Sequence, residues 1–283
     1  PLIEYSESKG FSYGLGIDYL NYRGLNEKIS IGLVLGKENL YFLNYFNPWV
    51  YGNHGSIESE IYNYHTESSI YNFKYRIKGF NIGTGFYQNN YNRYSFEFGT
   101  KNYKLASNIS ILDHRKTIPI NIKQYKYVQN KIMYKYDSRD IYIDPTNGTY
   151  LAFLIQTNIS TNNVNNFYTF KMNYKKYFLL SQNYIEPIIS FQTKLILKYS
   201  KKFPIFSHEY LGGENFVRGY SPVPQLNPLK IQNSFEGNNI IYQNIEIQHT
   251  IMKRKDFNGV ELGLDMVYFF DLGICSYDIN NFQ

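Results

Sequence analysis

The sequence holds one cysteine and one tryptophan in 283 residues, and only 18% of its residues are charged. A lone Cys275 can form no internal disulfide, and no cysteine or histidine stands beside it at metal-ligand spacing, so neither a disulfide frame nor a zinc site is readable. No charge-free apolar run approaches the ~20 residues that a helix needs to cross a bilayer, and mean hydropathy is −0.43. If the chain spans a membrane, it spans as strands. The five histidines, His54, His65, His114, His208 and His249, fall on different expected elements. Ser207, His208 and Glu209 are consecutive, and three neighbours along a chain cannot all converge on one another as a catalytic triad does. Gly83-Thr84-Gly85 lacks the third glycine and the following helix of a nucleotide loop. The expectation is therefore no enzyme, no cofactor and no metal. The chain begins at Pro1 without a charged stretch leading into an apolar core, so any targeting segment is expected to have been removed or to lie outside this piece.

What the sequence has in quantity is aromatic surface: 31 Tyr and 21 Phe, with aromatics making 19% of the chain. Rings that are apolar in body and polar at the tip suit a membrane interface. The formal charge of +6 is a modest basic excess, compatible with anionic lipid, nucleic acid or an acidic client without choosing among them.

Large apolar residues recur with a period of two. Tyr13, Leu15, Ile17 and Tyr19 alternate with Gly14, Gly16 and Asp18, and Ile29, Ile31, Leu33 and Leu35 with Ser30, Gly32 and Val34. Phe80, Ile82 and Phe86 oppose Asn81, Gly83 and Gly85, while Tyr94, Phe96 and Phe98 oppose Ser95, Glu97 and Gly99. The pattern continues through Leu151–Ile155, Tyr168–Tyr174 and Ile189–Leu197, and then along a final run from Val260 to Leu272. Successive side chains of a strand point to opposite faces, so this is the pattern of a barrel wall with one face in lipid and a polar lumen. Asn26-Glu27, Asn53-His54-Gly55, Asn89-Asn90, Asn162-Asn163 and Gly237-Asn238-Asn239 supply the turn chemistry between runs. Residues 105–130 and 201–235 read as two long connections, which are usually functional or disordered. A soluble sandwich also alternates, but strands of ~10 residues or more are long for one. Its apolar face is also expected to hold fewer tyrosines. The rings lie on the presumed lipid face without interleaved lysine, so no nucleic-acid partner is expected. The expected fold is all-β, a transmembrane antiparallel barrel forming one domain over 1–283, with about 13 strands.

Within the second long connection lies Tyr210-Leu211-Gly212-Gly213-Glu214-Asn215-Phe216-Val217-Arg218-Gly219-Tyr220. Gly212-Gly213 permits a tight reversal, and Gly219 permits a conformation that aims the Arg218 guanidinium from a loop tip. Alone, Arg-Gly-Tyr also describes an ordinary solvated loop. In the last strand, parity sets Asp271 on the lumen face with Glu261 and Asp265. In the preceding one, Ile241, Ile245 and Ile247 point outward, which leaves Tyr242, Asn244, Glu246 and Gln248 inward. Asp137, Arg139 and Asp140, followed by Pro145 and Gly148, form a charged turn that reads either as solvated or as a structural part of the barrel rim.

Four segments together resemble the outer-membrane polypeptide-transporting β-barrel superfamily, of the bacterial surface antigen or barrel-assembly type. Leu211–Tyr220 is similar to its L-G-G-x-x-x-V/L-R-G-Y/F signature, and Phe269-Phe270-Asp271-Leu272-Gly273 to its F-x-D-x-G strand. Asp137-Ser138-Arg139-Asp140 with Pro145-Thr146-Asn147-Gly148 resembles its D-x-R-D...P-T-x-G hairpin, and Phe46-Asn47-Pro48-Trp49 an early hairpin element. The Val-Arg-Gly-Tyr form looks closest to the chloroplast outer-envelope import channel branch. The resemblance implies a long loop folded into the lumen, where Gly212, Gly213, Val217, Arg218, Gly219 and Tyr220 form the motif and Arg218 meets Glu246 and Asp271. It implies a protein-conducting channel that imports precursors across a plastid, apicoplast-like outer envelope. The alternatives are an insertase assembling β-barrel proteins in a mitochondrial or bacterial outer membrane, and a passive porin. Implied partners are unfolded precursor polypeptides, membrane lipid and other translocon subunits. The family's soluble polypeptide-transport-associated repeats are not among these 283 residues, and 12 residues follow Asp271 in them. With a family count of about 16 strands, the chain is expected to be a fragment lacking those repeats and the last strands.

Overall fold

The alternating runs form strands throughout the computed structural model, which describes residues 2–6, 10–36, 39–67, 74–105, 110–113, 116–119, 123–142, 144–181, 186–213, 215–220, 236–257 and 260–277. In chain order the first strands are β1 (Leu2–Ser6), β2 (Gly10–Tyr22), β3 (Glu27–Gly36), β4 (Asn39–Asn47), β5 (Gly55–Glu67), β6 (Lys74–Tyr87) and β7 (Asn92–Leu105). A small hairpin, β8 (Ser110–Asp113) and β9 (Lys116–Pro119), precedes β10 (Gln124–Asp137), β11 (Gly148–Ser160), β12 (Phe167–Leu179) and β13 (Ile188–Tyr199). Two short strands, β14 (Glu209–Tyr210) and β15 (Glu236–Gly237), lie in the connection to β16 (Asn239–Phe257) and β17 (Val260–Ser276). Thirteen of these strands make one sheet in the order β1 to β7, β10 to β13, β16, β17. Every neighbouring pair follows in sequence apart from the small inserted hairpins, and all are antiparallel.

The two faces have opposite chemistry. Leu15 and Ile17 are 67% and 71% exposed, and Ile31, Phe80, Phe96, Ile132, Ile155 and Phe270 share that exposed face. The sheltered face carries Ser30, Asn81, Gln129, Asn158, Thr169, Lys198 and Asn244, all buried. A water-soluble sheet puts its apolar face inside. Apolar outside and polar within is the arrangement of a barrel wall in lipid. The inner polar groups satisfy one another across strands: Gln129 Nε2 donates to Asn158 Oδ1 at 2.7 Å, and Lys131 pairs with Glu97 at 2.6 Å. At two inner glycines a ring from the neighbouring strand covers the position. Phe42 lies over Gly32 and Tyr62 over Gly79, each so close that a Cβ would collide.

Short turns gather at one end of the sheet, where Trp49, Tyr51, Tyr91 and Tyr142 are exposed, as expected of an aromatic belt at a membrane interface. No helix among the described residues is long and apolar enough to cross a membrane. The expected turns at Asn89-Asn90 and Asn162-Asn163 fall between strands, those at Asn26-Glu27 and Asn53-His54-Gly55 end on the first residues of β3 and β5, and Gly237-Asn238-Asn239 leads from the long loop into β16. The first long connection is shorter than expected, because β10 already begins at Gln124. Tyr125 and Tyr127 face inward there and are buried under the second loop, which reverses the aromatic-outward pattern used to find strands. His114, Glu214 and the side chain of Glu261 lie outside the described residues.

Candidate functional site

The last hairpin builds one half of the site. Opposed in register are Tyr242 and Gly273, Asn244 and Asp271, and Glu246 and Phe269. Alternation turns all six side-chain positions to the lumen, so the F-x-D-x-G run presents a ring, an acid and a gap in a column. The loop between β13 and β16 supplies the other half. Leu211, 2% exposed, fills the gap: a Cβ on Gly273 would stand 2.7 Å from its methyl carbons. Gly212 bridges to Val217, Val217 N donates to Leu211 O at 2.9 Å, and Gly213 N donates to Tyr220 O at 2.9 Å. Gly213 at φ 91° and Gly219 at φ 87° occupy the left-handed region that side-chain-bearing residues rarely adopt. Tyr220 ends this turn and is exposed.

This tight turn holds Arg218 between the two carboxylates. Its Nε and Nη2 donate to Asp271 Oδ2 and Oδ1, each at 2.9 Å, and its Nη1 donates to Glu246 Oε1 at 2.7 Å. Its backbone N–H donates to Asp271 Oδ2 at 3.1 Å, and the guanidinium lies 3.6 Å above the Phe269 ring centroid. Tyr242 Oη and Asn244 Nδ2 also donate to Asp271 Oδ1, at 3.0 and 2.7 Å. Asp271 is only 4% exposed, so its charge is sustained by this set of donors. The hydrogen bond with Asp271 holds the Arg218 guanidinium above its ordinary pKa, so it stays protonated at any pH the protein meets. A planar fork that meets a carboxylate with two parallel bonds fixes orientation as well as position.

A second foothold lies farther up the loop. Glu209 accepts from Lys171 and pairs with Lys198, both at 2.9 Å, and Lys198 Nζ also donates to Ser207 O. Phe206 stacks on Tyr103 of β7 with centroids 3.9 Å apart and meets Tyr125 of β10 edge-on. The loop therefore crosses the inner face from β17 to β7. Burial works against the Glu209 charge, but Lys198 and Lys171 outweigh it and hold the carboxyl below its ordinary value of 4.5. A lowered native pKa means that this stabilisation is full above pH 4.5 and is lost as the pH falls through the lowered value. Proteolysis of the loop is expected to accelerate below about pH 4, and a Glu209→Gln protein is expected to show faster cleavage already at pH 7 with less change on acidification.

The rim hairpin between β10 and β11 is a bonded structure. Arg139 Nε and Nη2 donate to Asp137 Oδ1 and Oδ2 at 2.8 and 2.9 Å, and its guanidinium lies over the Tyr150 ring. Asp140 Oδ1 accepts from the N–H groups of Ile141, Thr146 and Asn147 at 2.9–3.2 Å, and Thr146 Oγ1 donates to Oδ2. Pro145 lies within the turn so closed, and Gly148, at φ 115°, packs where a Cβ would strike Ser138 O. Gln248 of β16 donates to Asp144 at 3.4 Å, so this turn reaches past β12 and β13 to β16. Asp140→Ala is expected to leave those N–H groups unsatisfied and destabilise the barrel by about 1 kcal/mol, read as a lower urea midpoint.

All lumen-motif residues and both carboxylates named from the sequence thus meet at one place, and the rim residues at another. The ring of Phe269, the Tyr242 and Asn244 bonds to Asp271, and the Glu209 and Phe206 contacts were not read from sequence. Parity sets Tyr242 and Asn244 inward. The signals for the loop contacts were weak: one acid and two phenylalanines in residues 201–210. No group of His, Cys, Asp and Glu among the described residues is placed to hold a metal.

This architecture recurs in solved structures. BamA from Haemophilus ducreyi, crystallised without POTRA domains 1–3, is 17% identical with a TM-score of 0.78, over 96% of this chain and 56% of that one. CdiB from Acinetobacter baumannii is 14% identical with a TM-score of 0.53, over 96% of this chain and 58% of that one. CdiB from Escherichia coli is 11% identical with a TM-score of 0.60, over 98% and 51%. The chain spans between half and three fifths of the length of the solved chains it matches. No curated protein sequence matches it. Residues 21–281 match the Omp85 superfamily domain, which takes in the rim hairpin, the loop motif and the F-x-D-x-G strand alike, and the chain belongs to the Omp85 superfamily.

Proposed function

We propose that the chain is the membrane barrel of an outer-membrane protein that moves or inserts other polypeptides, with the loop after β13 as the element that closes its lumen. The carrying observation is Arg218, a loop residue held inside the barrel by two strand carboxylates and a ring. A passive metabolite pore has no need of a tethered loop across its lumen. The loop can undock as a unit, because its described contacts with the wall are hydrogen bonds, ion pairs, ring contacts and the seat of Leu211, and none of them is covalent. Its clients would be unfolded precursor polypeptides, met together with membrane lipid and further translocon subunits.

The finer reading is precursor import across a plastid outer envelope, supported by the Val217-Arg218-Gly219-Tyr220 form of the motif. A second reading, insertion of β-barrel proteins into a mitochondrial or bacterial outer membrane, is favoured by the higher TM-score with BamA, 0.78, than with either CdiB. Planar-bilayer recording tests the common core. A precursor peptide is expected to block the open channel, and a neutral sugar of similar size is not. Equal indifference to both would leave a passive pore. Imaging of the tagged full-length protein separates the finer readings, since co-location with mitochondria is incompatible with plastid import.

A further inference from the structure

Arg93 of β7 stands directly opposite Lys135 of β10. Like charges facing across a strand pair destabilise a sheet, so an inner wall that keeps them invites an anion. We infer that the inner wall formed by β7 and β10–β13 is a binding site for an acidic, partly apolar polypeptide segment. The identification of that segment as part of a transported client rests on the function proposed above.

The wall borders an open cavity of about 410 Å³ whose lining includes Arg93, Lys135, Lys171 and Lys194, with Ala152 and Leu154 between them. The local acids are already engaged. Glu97 is held by Lys131, Asp137 by both nitrogens of the Arg139 fork, and Glu209 by Lys171 and Lys198. Lys135 stands only at the margin of this set, 3.6 Å from Asp137. The Arg93 Nε is buried without a hydrogen-bond acceptor, a state that native proteins rarely leave uncompensated. The residual charge on the wall is positive.

Spacing favours a polypeptide over a single phosphate. Following the register, Lys135, Ala152, Asn173 and Lys194 lie in one row across neighbouring strands, and Arg93 extends it by one more. At ~4.8 Å per strand, this row spans about 19 Å, the length of an extended segment of about six residues. The protein's own loop already occupies part of the wall in this way. The Glu209 carboxylate sits on Lys171 and the Asn215 carbonyl on Lys194, a side-chain acid and a main-chain acceptor from one stretch of chain. A client segment carrying acids would take the same lysines, and so would loosen the loop's hold while it entered.

The test uses the folded protein in detergent or vesicles, with a ten-residue peptide of alternating Glu and Leu, the same peptide with Lys for Glu, and inorganic polyphosphate as probes. The Glu peptide is expected to bind at least tenfold more tightly than the Lys peptide, and more weakly as salt is raised. R93Q/K135Q is expected to lose that preference, and K135E to reverse it. K255Q, at an exposed position towards the turn end of β16, is expected to keep it. Heat-dependent gel mobility verifies that each variant is folded, and removal of the opposed cations is not expected to impair folding. Equal affinity for the two peptides, an unchanged preference in folded R93Q/K135Q, or binding of polyphosphate without the Glu peptide each overturns the inference. Client transport is scored separately: an acid-selective barrel that moves no polypeptide contradicts the proposed function and leaves the site standing.

Discussion

Arg218→Ala is expected to raise the conductance of the reconstituted barrel several-fold and to open the loop to protease. The substitution removes three side-chain hydrogen bonds, two to Asp271 and one to Glu246. It leaves Asp271, 4% exposed, as a buried carboxylate whose remaining donors are the 218 backbone N–H, Tyr242 and Asn244. Breaking one member of a buried ion set typically costs about 3–5 kcal/mol. Arg218 and Glu246 are 28% and 31% exposed, which places the loss near the low end, about 3 kcal/mol. That shifts the docked-to-undocked ratio by about two orders of magnitude. Arg218→Lys keeps the charge but loses the two-pronged bond and the flat contact with Phe269, so an intermediate conductance is expected. A conductance and cleavage rate equal to wild type in the alanine variant would mean that the loop is held by something else.

Gly273→Val is expected to do comparable damage by a steric route. Valine suits a strand better than glycine does, so the wall itself should not suffer. Its first carbon, however, would lie 2.7 Å from the Leu211 methyls, and Leu211 is walled in by Ile196, Ile240 and Tyr242. Overpacking of this kind costs about 1–3 kcal/mol. Because Leu211 leads directly into Gly212-Gly213, the displacement is passed to the turn that aims Arg218. The diagnostic experiment is a compensating pair. Leu211→Ala alone leaves a cavity and lowers loop protection, whereas adding Gly273→Ala to it should restore part of the loss. Strictly additive losses would show that the two residues do not share a space.

The wall and the site were legible to different degrees for a physical reason. Strand parity is a local property, so Asp271, Glu246 and Asn244 could be turned inward from neighbouring residues alone. The destination of a loop is a tertiary property. Nothing local says that Phe206 stacks on Tyr103 or that Glu209 finds Lys171, since those partners lie on strands distant in sequence, and the nearer Lys198 is met only because the loop turns back over β13. Tyr125 and Tyr127 read as part of a connection, yet they lie in β10, because ring-outward alternation fails where the loop packs inside the barrel. Gly273 was visible as a motif letter, but its role as the slot for Leu211 depends on the loop being docked. Phe269 likewise reads as one apolar residue among many until the guanidinium above it is seen.

A double-mutant cycle between Arg218 and Asp271 tests the lumenal clamp most directly, with loop protection against protease as the readout in Arg218→Ala, Asp271→Ala and the combined protein. Coupling of about 2 kcal/mol or more is expected, so that the double variant is little worse than either single one. Additivity of the two losses to within about 0.5 kcal/mol would contradict the clamp.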